Sequence, residues 1–137
     1  MPIPIETINW LAVLGAFIAN MAVGAVWYSP LLMGNRWLHS TGRTHDDIQD
    51  DSQSAIALVM IPAAANAIAL AILTAGLGIT STYGGIALAM LIWLCFVVPT
   101  NFIEVIFDRK TVETALINNG NFLISFVIMG AIIGTWG

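Results

Sequence analysis

Asn101, Glu104 and Asp108 fall at i, i+3 and i+7 of one apolar stretch, so a helix carries all three on a single face. A second polar run, Asn118, Asn119 and Asn121, follows a short charged segment. If two helices pair antiparallel across that segment, Asn101 and Glu104 stand level with Asn118 and Asn121. Tyr28 and Arg36 reach the same level from an earlier part of the chain. A carboxylate among amides, a phenol and a guanidinium suits a hydrated polar pocket, or a hydrogen-bonded network that pins helices together. The candidate pocket is therefore Tyr28, Arg36, Asn101, Glu104, Asn118 and Asn121. Within it, Glu104 is expected to face inward and pair with Arg36, Arg109 or an Asn amide. Asn20 and Asn66 lie near the middle of two other apolar stretches. They are expected to bond to each other between helices rather than to bind a ligand.

Other chemistries fit less well. His39, His45, Asp46, Asp47, Asp50 and Asp51 carry metal-ligating atoms, but an acidic helix end in water explains them more simply than three or four converging ligands. Thr44 and Asp47 form a capping-box variant that starts a helix near His45. No nucleophile–base set, phosphate loop or His-x-x-x-His motif is present. Neither histidine lies in an apolar stretch, where a haem would need one. Cys95 excludes an intramolecular disulfide and, from inside an apolar run, reads as a buried, inert thiol. No cofactor and no metal are expected.

The elements that must position these residues follow from composition. Of 137 residues, 58% are hydrophobic and 9% charged, with a net charge of −4, against roughly a quarter charged in an ordinary soluble domain. So few charges cannot cover a surface that faces water. The acidic balance also excludes a nucleic-acid binder, and the bilayer becomes the expected surroundings. A helix needs about 20 apolar residues to cross it. Four stretches qualify, at 8–29, 55–77, 83–107 and 115–136, none containing Lys or Arg. No cation precedes the first, so no cleavable signal is expected. The expected fold is all-α, a four-transmembrane-helix bundle forming one domain over residues 1–137.

All four cations, Arg36, Arg43, Arg109 and Lys110, lie in the loop 30–54 or the link 108–114. The positive-inside rule makes those connections cytoplasmic and both termini external. Trp10, Trp136 and Tyr83 then mark the outer interface, and Trp27, Tyr28 and Trp37 the inner one. Pro30 ends the first helix and turns the chain into a cytoplasmic interfacial segment, with Trp37 in the headgroups and the Trp-Tyr-Ser-Pro corner on the start of the fourth helix. Pro62 and Pro99 invite kinks.

Without a hydrophobic drive between helices, small residues set their approach. Ala12, Ala16, Asn20 and Gly24 recur every four residues in the first span, as do Ala63, Ala67, Ala71 and Ala75 in the second. Gly130 and Gly134 form a GxxxG in the last. These stripes predict tight pairing, within one chain or between chains.

The segment GAVWYSPLLMGNRW (24–37) resembles the G-x-x-W-Y-S-P-x-x-x-G-x-x-W signature of the bacterial domain-of-unknown-function family 1761. The segment PTNFIEVIFDRKTVETALINNGNFLISFVIMGAIIGTW (99–136) is similar to that family's C-terminal half: a Thr-Asn pair, a Glu, a charged turn, an Ile-Asn and a Gly-rich span. The resemblance covers nearly the whole chain apart from the acidic loop. It implies a small integral protein of the bacterial inner membrane, and no catalytic residues.

The functional expectation is a non-enzymatic bundle acting through helix–helix contacts, as a homo-oligomer or as part of a larger membrane complex. One alternative is an oligomeric transporter or channel using Asn101, Glu104 and Asn118. Another is an enzyme acting on a lipid or quinone at the interface, with Glu104 or His39 as base.

Overall fold

The computed structural model describes residues 5–42 and 45–136, and within these the side chains of 45–55 lie outside the description. After a short 3-10 turn at Ile5–Thr7 come α1 (Trp10–Trp27), α2 (Gly34–Thr41), α3 (His45–Gly76), α4 (Thr82–Ile92), a π-helical segment (Trp93–Val97), α5 (Val98–Phe107) and α6 (Val112–Trp136). Lipid offers backbone groups no hydrogen bonds, so helices, which satisfy their own, are the natural spanning element here. The four spans are α1, Ile56–Gly76 of α3, the run Thr82–Phe107, and α6, each long and apolar enough to cross a membrane. The chain is an all-α membrane bundle with no strand among the described residues. The backbone of α3 does begin at His45, while the capping pair Thr44 and Asp47 and the acidic side chains lie outside the described residues.

Caps fix the helix ends. Asn9 Oδ1 accepts from the amides of Leu11 and Ala12, and its Nδ2 donates to the Trp136 carbonyl at 2.7 Å. That bond joins the start of α1 to the end of α6. Ser81 caps α4 through the Gly84 amide, and the Thr111 hydroxyl accepts from the Thr114 amide at the start of α6. Gly78, with φ +71°, makes the left-handed turn out of α3.

The spans alternate in direction, and α6 lies between α1 and α4, with α3 across them. The interior is built from small residues and a few large ones: Ala16, Ala67, Ala89, Met129 and Ile133 are all but inaccessible. The closest approach is between α4 and α6. A methyl group added at Gly85 would strike the Gly130 carbonyl, and one added at Gly134 would strike the Ser81 carbonyl. The GxxxG of α6 thus packs within the chain, against Gly85. The stripes on α1 and α3 are buried at Ala12, Ala16, Ala63, Ala67 and Ala71, but Gly24 and Ala75 are only partly covered. A methyl at Gly24 would meet nothing within 4 Å, so the α1 stripe parts from its neighbours there.

The two prolines act differently. Pro62 is accommodated inside α3 without a break. Ahead of Pro99 the helix widens into the π segment, where the Val98 amide reaches back to the Trp93 carbonyl. Proline lacks the N–H that would close an α turn there, and π turns are a common resolution. Cys95, in this segment, is exposed rather than buried. An apolar run implies an interior position only when the solvent is water, and this face of the helix is apolar because it meets lipid.

Replacing Gly130 by Leu should separate α4 from α6 and cost about 1–3 kcal/mol or more. Gly24→Ala should be nearly neutral. Unfolding midpoints in mixed detergent micelles check both, and a harmless Gly130→Leu would mean that the two backbones do not touch.

Candidate functional site

The polar groups gather where α1 ends, α2 turns back and α6 begins. Pro30 lies just past the end of α1. The turn then folds tightly: the Met33 amide donates to the Trp27 carbonyl at 2.8 Å and the Gly34 amide to the Ser29 carbonyl at 2.9 Å. A side chain at Gly34 would collide with the carbonyls of Tyr28 and Ser29, so the turn requires glycine at that point. Ser29 Oγ donates back to the Val26 carbonyl at 2.6 Å.

This corner holds α6 by several groups. Trp27 Nε1 donates to the Ile117 carbonyl at 2.9 Å, and Gly120 leaves room for the indole. Tyr28 Oη donates to Asn118 Oδ1 at 2.6 Å. Ser40 on α2 meets Thr114, whose hydroxyl donates to Ser40 Oγ at 2.8 Å. Trp37 packs edge-on to Tyr28 with ring centroids 5.8 Å apart. From the other flank of α6, Trp93 Nε1 donates to the Asn119 carbonyl at 2.9 Å, and Asn101 Nδ2 donates to Asn119 Oδ1.

The six candidate residues therefore share one end of the bundle but do not line one pocket. Tyr28 joins Asn118, and Asn101 joins Asn119 rather than Asn118 or Asn121. The Glu104 carboxylate accepts from Lys110 Nζ at 2.8 Å, with the two side chains 39% and 45% exposed. Arg36 meets Glu113 at 3.3 Å. Neither Arg36 nor Arg109 is the partner of Glu104: Arg36 meets Glu113, and Lys110 bonds Glu104 across the link in which Arg109 takes a left-handed conformation, φ 58°. Asn121 is buried, and its Oδ1 has no hydrogen-bond partner among the described residues.

Asn20 is buried and Asn66 half-buried, and among the described residues no hydrogen bond joins them. Ile8 and Asn9 share a small cavity with Ala71 and Thr74, a register that sets Asn20 about one turn past Asn66. His39 is exposed on α2, and His45 and the aspartates lie outside the described side chains. No group of metal-ligating side chains occurs among the described residues.

Sequence reasoning missed Trp27, Trp93, Ser40 and Thr114 as polar partners, and Ser125 as a buried polar residue. A signal existed for some of them: Thr114, Asn118, Asn121 and Ser125 recur at 4-3-4 spacing along one stripe of α6.

An all-helical membrane bundle with a tryptophan–tyrosine corner clamped on its last helix is the class that fold and site define. The model of the family DUF1761, protein of unknown function, matches residues 11–134, and the chain belongs to that family. No curated protein and no solved structure gives a match.

Tyr28→Phe should cost about 0.5–1 kcal/mol, the usual worth of one interhelical hydrogen bond in a membrane. Glu104→Gln and Lys110→Gln should each cost less than ~1 kcal/mol, since the pair faces solvent. A double-mutant cycle at low and high salt checks this; strong, salt-insensitive coupling would place Glu104 in a dry interior.

Proposed function

We propose that the chain is an integral protein of the bacterial cytoplasmic membrane, with both termini outside, that works without catalysis. It acts through helix–helix contacts, as an oligomer or as an accessory subunit of a larger membrane complex. One observation carries this reading. The span Thr82–Phe107 is the one its own chain covers least, with 6% of its apolar window buried, and it is also the span with irregular backbone. Pro99 has no N–H to give to the turn before it, and the helix widens there into the π segment. Thr100 Oγ1 caps the Phe96 carbonyl. Irregular backbone at membrane depth is tolerated where protein covers it, and a helix from another chain provides that cover. Four charged groups at the corner end meanwhile pair, Glu104 with Lys110 and Arg36 with Glu113, which favours a scaffold over a solute site at those residues.

Cys95 lies on the uncovered face and serves as a native probe. Mild oxidation in native membranes should cross-link it to a neighbouring chain, and purification in mild detergent should yield an oligomer or a retained partner. A single monomeric species, uncross-linked in both settings, sinks the proposal.

The orientation rests on Arg36, Arg109 and Lys110 standing at one end of the bundle and Asn9 and Trp136 at the other. A Thr80→Cys variant in a Cys95→Ala background should label from outside intact cells with an impermeant thiol reagent. Labelling only after lysis reverses the orientation.

A further inference from the structure

Asn66 is the middle residue of the 21-residue span Ile56–Gly76. Its amide therefore sits at the depth where a bare polar group costs most. It is only half-buried, and no hydrogen bond reaches it from the described residues. Asn20, the amide nearest in level, stands about one turn farther along in the register that Ile8 and Asn9 set against Ala71 and Thr74. Lipid tails offer neither donor nor acceptor. A partner for Asn66 comes from another molecule that reaches the middle of the bilayer.

The neighbours of Asn66 on α3 point to that molecule. Val59, Pro62, Asn66, Ala69 and Leu73 follow one another at 3-4-3-4 spacing, the period of a seam along which two helices cross at a small angle. Val59 and Leu73 are 52% and 40% exposed, and Pro62 and Ala69 are exposed as well. The helix turns a different face to its own chain, that of Ala63, Ala67 and Leu70, roughly a third of a turn round from the seam. A seam of this period fits a helix of the same period. The amide at its centre calls for a group that both donates and accepts, and a second asparagine amide does both.

We propose that this seam of α3 is a homodimer interface, with Asn66 hydrogen-bonded to its counterpart in a second copy of the chain. Copies inserted in the same direction are related by a two-fold axis along the membrane normal. The same helix from each then runs parallel to its mate, and residue i meets residue i. Each Asn66 donates through Nδ2 to the other's Oδ1, so one contact satisfies both amides. Ala69, one turn on, keeps the two backbones close enough for that exchange. A single asparagine in an otherwise apolar seam also fixes register and copy number, since any slip leaves both amides bare. The proposal rests on the reading that the chain works through helix–helix contacts. It adds the identity of the partner and a contact span other than Thr82–Phe107.

The test uses the full chain in lipid bilayers, with each new cysteine in a Cys95→Ala background. Copper-catalysed oxidation should join Leu73→Cys copies into disulfide dimers. Ile61→Cys, equally open to lipid at 68% exposure but off the seam, should stay uncross-linked. Counting subunits by single-molecule bleaching at increasing lipid dilution gives the affinity. Asn66→Leu should weaken dimerisation about tenfold, the worth of two interhelical hydrogen bonds, and Asn66→Gln, which keeps an amide, should recover most of it. Leu73→Cys cross-linking no better than Ile61→Cys overturns the inference, as does an Asn66→Leu variant that dimerises like the parent. The native Cys95 separates this result from the broader reading. If Cys95 cross-links and Leu73→Cys does not, the oligomer stands on another span and the α3 seam falls; if neither does and the parent is monomeric, both fall. The cysteine pair decides the matter even if Asn66→Leu fails to fold.

Discussion

Two backbones touching, those of α4 and α6 at Gly85, Gly130 and Gly134, are what the rest of this bundle depends on. Lipid removes the hydrophobic drive between helices, leaving packing and hydrogen bonds to hold them. Close approach is possible only where no side chain intervenes. Gly85 and Gly130 each abut the other's carbonyl region, and Ala89 fits against Gly130 one turn on. With α4 fixed on one flank of α6, α1 takes the other, and Met129, Ile133 and Phe126 fill the space that α3 closes. The termini end needs little more than the Asn9 bond to Trp136 and the pair of threonines, Thr82 and Thr135, that face each other across the same contact.

The opposite end is held by other means. There hydrogen bonds take over from the contact of glycine backbones. The indoles of Trp27 and Trp93 reach α6 from opposite flanks and donate to carbonyls only two residues apart, Ile117 and Asn119. Long amphipathic rings suit this position, since each spans a gap with apolar surface and still delivers a donor. The bundle is therefore tight at one end and strutted at the other, with the unsatisfied oxygens of α6 in between.

Much of this was legible from residue order. Span lengths, the stop at Pro30 and the docking of the Trp-Tyr-Ser-Pro corner on the fourth span follow from bilayer thickness and proline geometry, both local constraints. The Gly130–Gly134 pair was legible as a contact, but its partner Gly85 was not, because one glycine beside another at 84–85 carries no period. Pairing at the polar end was the least legible. Glu104 and Asn101 share a face in any regular helix, yet they meet different partners, Lys110 and Asn119. Their choice depends on the left-handed Arg109 and on the π segment, which no spacing rule anticipates. Ser125 escaped notice because a lone serine in an apolar span reads as a small packing residue.

The π segment changes the phase of the third span. Carried through as a regular α-helix, Asn101 would point roughly 160° away from Gly85, at 100° per residue. The extra residue held between Trp93 and Val97 turns everything after it back by about one residue's rotation. Asn101 and Val97 thereby come round to the side that Gly85 and Ala89 present to α6. The segment works as a frame correction within one helix: the glycine contact and the asparagine contact belong to two different helical phases, reconciled by one inserted position. Deleting one residue from 93–97 would let the segment close as a regular α-helix with Asn101 still in phase. Adding one more would leave the span apolar and still long enough to cross the membrane, yet would swing Asn101 by about 100° away from that face. Length and hydropathy would not register the loss.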